Sequence, residues 1–183
     1  CGPHEHDSGT PVTTRRLLAL NVGSSTLKGA SYLFNTEGHG AQSRLLERSR
    51  AEIPVGVDAQ ERLATLLEAL SEPWPSPDVV VHRIVHGGDL HDPRELDETV
   101  LAKLDALVPF APLHQPVALA FARAARMRWP HARQGVAFDT DFHASLAPCS
   151  RRSPVPEAWD ALGIRRYGFH GLAFASALRI LAS

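Results

Sequence analysis

Five short clusters carry side chains able to do polar chemistry: NVGSSTLK (21–28), HRIVHGG (82–88), APLHQP (111–116), FDTDFH (138–143) and RRYGFHG (165–171). In the first, an apolar run from Leu17 to Leu20 turns abruptly polar. A buried strand running into a tight turn fits that switch. Gly23 is expected to supply a backbone conformation that a Cβ would resist. Ser24, Ser25 and Thr26 offer short donors and Lys28 a point charge, which together make a phosphate cradle. The spacing is not that of a P-loop. Read alone, the stretch is an ordinary hairpin turn, since Gly and Ser are common turn residues, and it is the other four clusters that favour the cradle.

In the second cluster, Val79, Val80, Val81, Ile84 and Val85 favour a strand over residues 78–88. On a strand, His82 and His86 lie about 13 Å apart and cannot grip one metal. They share one face, while Arg83 and Val85 share the other. An arginine beside a Gly-Gly strand end can fork onto a carboxylate or phosphate; a plain salt bridge is the alternative. His114 falls in a Pro-bounded loop before a helix that Pro116 can start. In FDTDFH, Asp139 and Asp141 share a face if the chain stays extended. Such a pair can bind a metal such as Mg²⁺, polarise a substrate group, or make a structural turn. His170, before the apolar stretch from Leu172 to Leu181, sits near a helix start, where an anion is favoured.

The elements that must position these groups follow from periodicity. Residues 30–34 form a strand hairpin-paired with the first, then a turn at 35–40 and a third strand over 44–53. Leu63, Leu66, Leu67 and Leu70 recur at helical spacing behind an N-cap at Asp58, giving a helix over 59–70. Further helices cover 97–107, about 116–129, and 172–181, and a short buried strand covers 135–143. Residues 1–15 read as a disordered tail, in which Cys1, His4, His6 and Asp7 could hold a metal only adventitiously. Residues 16–183 read as one α/β domain. The 183 residues suffice for one core. A net charge of −1 gives no reason to expect a nucleic-acid or membrane-surface partner. Two cysteines support neither a disulfide framework nor a Cys-based zinc site, and point to a reducing cytoplasm. No apolar run reaches the roughly 20 residues of a membrane span.

The five clusters, in this order, resemble the N-terminal half of the acetate kinase family, whose usual forms are close to NAGSSSLK, HRVVHGG, APLHNP, FDTAFH and RRYGFHG. The resemblance covers about residues 16–175. It implies a ribonuclease-H-like fold of the superfamily that includes actin and the acetate and sugar kinases, with a mixed sheet flanked by helices. It implies transfer of the ATP γ-phosphoryl group to acetate or propionate, with Mg²⁺ as cofactor. By the same resemblance, Asn21 helps position Mg²⁺ or the phosphoryl group, and Ser24, Ser25 and Lys28 form the phosphate-proximal turn. Arg83 binds the carboxylate. Val85, Leu113 and Phe169 form a pocket for the methyl group. His114 and His170 contact the phosphoryl oxygens, and Asp139 orients the acyl substrate or its partners.

Departures from the family pattern carry expectations too. Leu172, Ala173 and Phe174 stand where the family has Thr-Ser-His. Asp141 adds a negative charge expected to repel anionic substrates. Gln115 for Asn and Thr26 for Ser keep polarity. The family's C-terminal nucleotide lobe has no counterpart here, so apolar surface is expected to lie open, with little or no turnover by this chain alone. A homodimer, or association with such a lobe, is the expected partnership. The other reading is a non-catalytic remnant that keeps an anion-binding pocket.

Overall fold

The computed structural model describes residues 14–23, 26–35, 42–52, 58–69, 76–151, 153–160, 162, 164 and 166–182. Ser24, Ser25, Leu70, Arg165, the turn at 36–40, the prolines at 73 and 75 and the residues before 14 lie outside them. In chain order the elements are β1 (Thr14–Val22), β2 (Thr26–Asn35), β3 (Gln42–Glu52), α1 (Ala59–Ala69), β4 (Val79–Ile84), β5 (Arg94–Glu95), α2 (Glu98–Ala106), α3 (Gln115–Arg128), β6 (Arg133–Phe138), α4 (Pro148–Arg151), α5 (Glu157–Asp160) and α6 (Gly171–Leu181).

Six strands form one sheet in the order β3-β2-β1-β4-β6-β5. β1, β2 and β3 pair antiparallel, while β1, β4 and β6 run parallel, with Leu20 opposite His82 and Arg83 opposite Ala137. Helices α1 and α3 lie between β1, β4 and β6 in the sequence, as parallel strands require crossovers.

Alternation along the strands sets the core. Leu18, Leu20, Val22, Val80, Ile84, Val136 and Phe138 are buried on one face. There α3 packs between two clusters: Phe121, Ala124 and Ala125 join Leu63 and Trp129, whereas Ala118, Leu119 and Ala122 join Leu101, Leu104 and Phe138. The small alanines let α3 lie close to the sheet, and Phe121, wholly buried, contributes roughly 2–3 kcal/mol. The other face carries Leu17, Ala19, Val79, Val81, Gly135 and Ala137, all only half-buried.

The local signals explain most boundaries. Asp58 Oδ1 accepts from the amides of Gln60 and Glu61, and Asp97 Oδ1 from that of Val100, so both aspartates cap their helices. Five expectations are corrected. Thr14 and Arg15 begin β1 rather than end a tail. β2 starts at Thr26, not Ala30, because Gly23 N–H donates to Thr26 C=O at 2.7 Å and closes the turn at once. Gly23 itself does not need a glycine backbone: an added Cβ would meet nothing nearer than 3.4 Å. Gly88 does, with φ +62°. β4 stops at Ile84, whose carbonyl takes the Asp139 amide before the chain turns. Likewise β6 stops at Phe138; Thr140 turns into a helical conformation and residues 141–143 form a 3₁₀ turn.

Candidate active site

Asn21 is the penultimate residue of β1, Arg83 lies on the next strand β4, and Asp139 follows directly on β6. Three neighbouring parallel strands therefore deliver a carboxamide, a guanidinium and a carboxylate to the same sheet edge. Asp139 is 2% exposed. Its two oxygens each accept from Arg83 Nε at 3.1 Å, and Oδ2 also accepts from Arg83 Nη2. Arg83 Nη1 donates to Asn21 Oδ1 at 3.1 Å. A guanidinium has five N–H groups. These bonds engage Nε and one N–H on each terminal nitrogen, leaving two donors on a side chain 23% exposed.

His170 completes the group from the far side. It is the N-cap of α6, in the left-handed region at φ 58°. That conformation follows from tight docking: Gly171 N–H donates to Asp139 C=O at 2.9 Å, and a Cβ on Gly171 would lie 2.4 Å from that carbonyl oxygen. Asn21, Arg83, Asp139 and His170 line one cavity of about 510 Å³, floored by Ala137 and Leu172. A larger groove, about 770 Å³, lies at the opposite end of the sheet between the start of α2 and the end of α3. Its arginines are already paired, Arg126 with Glu98 at 2.8 Å and Arg133 with Glu95 at 3.1 Å.

The remaining expected residues are placed differently. Lys28 is exposed on β2, opposite Asn21. Val85 is half-buried and His114 is the half-buried N-cap of α3. Leu113 is 77% exposed, and Phe169, 36% exposed, packs edge-on to His86 with centroids 5.7 Å apart. Ser24 and Ser25 lie outside the described residues. The extended Asp139/Asp141 pair is not formed: the Thr140 turn separates them, and Asp141 Oδ1 accepts from the Asp92 amide at 2.9 Å, with His91 Nδ1 3.9 Å away. Among the described residues, no group of three His, Cys, Asp or Glu side chains could hold a metal ion.

Sequence reasoning missed two supporting residues. Past the end of β4, no strand pairs with buried His86. The side-chain amide of Gln115, wholly buried, does so instead: Oε1 accepts from His86 N–H at 3.3 Å, and Nε2 donates to the carbonyls of His86 at 3.0 Å and Leu104 at 3.3 Å. His86 Nδ1 in turn accepts from Gly88 N–H at 2.9 Å, and its ring meets those of Phe110, Tyr167 and Phe169. Residues of three of the five clusters thus meet at His86, Gln115 at its backbone and Gly88, Tyr167 and Phe169 at its ring. A buried polar residue before the helix-starting Pro116 was the available signal for Gln115. On the same face, His82 Nε2 donates to Gln134 Oε1 at 2.9 Å; Gln134 Nε2 donates to Ala132 C=O, which settles the amide orientation. Burial lowers the His82 pKa from 6.5 to about 4, against the smaller opposing effect of that hydrogen bond.

The strand order, the helix-covered face and the charged cluster at the edge of the parallel strands define a ribonuclease-H-like α/β domain of the superfamily that includes actin and the acetate and sugar kinases. Residues 16–179 match the description "Acetokinase family", and the chain belongs to that family. It is 33% identical over 172 residues to an acetate kinase of Methylocella silvestris, covering 92% of this chain and 42% of the relative. An acetate kinase of Nostoc punctiforme is 35% identical over 189 residues, with 86% and 47% covered. Among solved structures, the acetate kinase of Entamoeba histolytica superposes with a TM-score of 0.69 at 28% identity, covering 91% of this chain and 45% of that one. The Porphyromonas gingivalis acetate kinase gives the same score and identity, with 92% and 49% covered. The chain spans about half the length of the curated relatives it matches.

Proposed function

We propose that this chain provides the carboxylate- and phosphoryl-binding side of an acetate-kinase-type phosphotransferase, which moves the ATP γ-phosphoryl group to acetate or propionate to give acyl phosphate and ADP. The observation that carries this reading is Arg83, held by Asp139 and Asn21 with two N–H groups to spare in a cavity it shares with His170. A carboxylate is already a nucleophile, so the chemistry needs positioning and charge stabilisation rather than a strong base. The spare donors of Arg83 grip the substrate carboxylate. Asp139 fixes the guanidinium plane and does not itself react. His170, and His114 from the start of α3, donate toward the phosphoryl oxygens as negative charge builds there. Val85 and Phe169 border the methyl group, and Leu113 joins them once its exposed side chain is covered. The amides of the 23–26 turn, Ser24, Ser25 and Lys28 are the phosphate-facing edge in this reading.

Magnesium accompanies ATP in this proposal, but the described residues do not by themselves fit a metal site. Asn21 Oδ1 already accepts from a guanidinium, which opposes a second cation on the same oxygen. The same reading has the chain turning over little without a nucleotide-binding partner.

The test is an acyl-phosphate assay: chain, MgATP and acetate, with the product trapped by hydroxylamine. Acetate binding, followed by NMR, should be present in the wild type and lost in Arg83→Lys, which keeps the charge but cannot bridge Asp139 and Asn21. Hydroxamate formed at a high rate by the isolated chain, and lost in the same variant, would contradict the expected low turnover. Acetate binding that is unchanged in Arg83→Lys would remove the site assignment itself.

A further inference from the structure

We propose that the Arg83 cavity takes a medium-chain monocarboxylate, about hexanoate in length, with its carboxylate on Arg83 and its alkyl chain laid along the open sheet face beside the start of α6. This assignment rests on Arg83 being the carboxylate grip of the proposed kinase site and extends that site to a larger acid. The cavity, about 510 Å³, falls within the roughly 300–1,000 Å³ of sites that hold drug-sized molecules, and acetate leaves most of it empty. Val85, Leu113 and Phe169, expected around a methyl group, are not among the residues that line it. The room next to Arg83 lies down the sheet instead.

Strand register sets the course of that room. Ala19 and Val81 are neighbours across β1 and β4, two residues before Asn21 and Arg83, and Ala137, level with Arg83, comes two before Asp139. A two-residue step keeps the same face and moves about 7 Å along a strand. The polar groups therefore stand at one end and small, half-buried apolar side chains continue from them. Leu172 and Ala173 form the wall on the α6 side. The family's usual Thr and Ser at these two positions would bring hydroxyls. Here the wall offers water no partner, so methylene groups displace water from it favourably. The charge pattern suits a single anionic head. Among the lining residues Asp139 is the one carboxylate, and Arg83 already holds it. A second charge at the far end of the ligand would lie against apolar side chains, at a desolvation cost.

Methyl NMR titrations of the 183-residue chain with acetate, hexanoate, hexanol and adipate test the assignment. Affinity should rise about two- to fourfold per methylene, so hexanoate should bind about 15- to 250-fold tighter than acetate. Hexanoate, and not acetate, should shift the methyl signals of Ala19, Val81 and Ala137. Hexanol lacks the carboxylate and adipate carries a second one into the trough, so each should bind about tenfold or more weakly than hexanoate. Arg83→Lys should lose both acids. Ala137→Leu fills the trough and Leu172→Thr rehydrates its wall; each should narrow the ratio of hexanoate to acetate affinity about fivefold or more. Hexanoate no tighter than acetate, or hexanol as tight as hexanoate, would overturn the longer acid and leave the Arg83 grip on acetate standing. Neither acid binding at all would instead remove the kinase-site reading, and this proposal with it. Leu172→Thr, a mild change on a half-buried side chain, keeps the test decisive where Ala137→Leu fails to fold: a ratio unchanged in Leu172→Thr would place the alkyl chain elsewhere and overturn the proposal.

Discussion

Asp139 is sealed from water at 2% exposure, whereas its partner Arg83 keeps 23%, so the two ends of one ion pair have unequal access to solvent. Losing either partner is therefore not symmetrical. Arg83→Met strands a buried carboxylate and should cost about 3–5 kcal/mol. Asp139→Asn leaves a guanidinium that can still reach water and should cost less, about 1–3 kcal/mol. Urea denaturation of both variants and of the double variant measures this. A double variant as unstable as the sum of the singles would mean that the two side chains are not coupled.

His82 makes acid stability predictable. Above pH 6.5 the imidazole is neutral in folded and unfolded chains, and its burial costs nothing extra. As pH falls from 6.5 to about 4, the unfolded chain takes up a proton that the folded one refuses, and stability drops. The whole loss is about 3 kcal/mol, and below about pH 4 this group adds no more. His82→Met should flatten the pH dependence by close to one proton in that window. An unchanged slope in chemical denaturation would show that His82 is protonated in the fold.

Gln115 is expected to be costly to replace. Gln115→Leu keeps the volume but removes its three buried bonds, to the His86 N–H, the His86 carbonyl and the Leu104 carbonyl. A loss of about 2–4 kcal/mol follows from about 0.5–1.5 kcal/mol per bond. Hydrogen exchange at the His86 amide should accelerate in step. Slow exchange in the variant would mean that another group holds that amide.

Gly171→Ala should separate α6 from the site. The new Cβ would sit 2.4 Å from the Asp139 carbonyl oxygen and 2.5 Å from Phe142 Cβ. His170 moves with the helix, so acetate or acetyl phosphate binding should weaken about tenfold or more while the sheet core survives. NMR shifts of His170 on adding ligand would report it; shifts equal to wild type would show that the helix start tolerates the methyl group.

Asp141 was expected to repel anions, but its carboxylate serves the Asp92 amide, in a left-handed turn with φ 61°. Asp141→Ala should therefore cost about 1–2 kcal/mol of stability and leave acetate affinity unchanged. Tighter acetate binding in Asp141→Ala would restore the repulsion argument.

Much of this protein was legible along the chain because the relevant signals are local. Alternation in β4 assigned His82 and His86 to one face and Arg83 to the other, and the burial pattern follows it through His86. Asp58 announced its helix, because a cap depends on residues two and three positions away. The five clusters identified the family. What the sequence could not decide was which clusters meet and by which atoms. Whether Arg83 binds a ligand or a carboxylate depends on Asp139, 56 positions away, and the fold shows that it holds one while keeping donors for the other. Asp139 and Asp141 parted because Thr140 turns and Asp92 claims the second carboxylate. Gln115 reads as a polar loop residue until the packed chain sets its side-chain amide against the His86 backbone. Each of these outcomes is a contest among distant groups for hydrogen bonds, and only the packed chain brings all the competitors within reach.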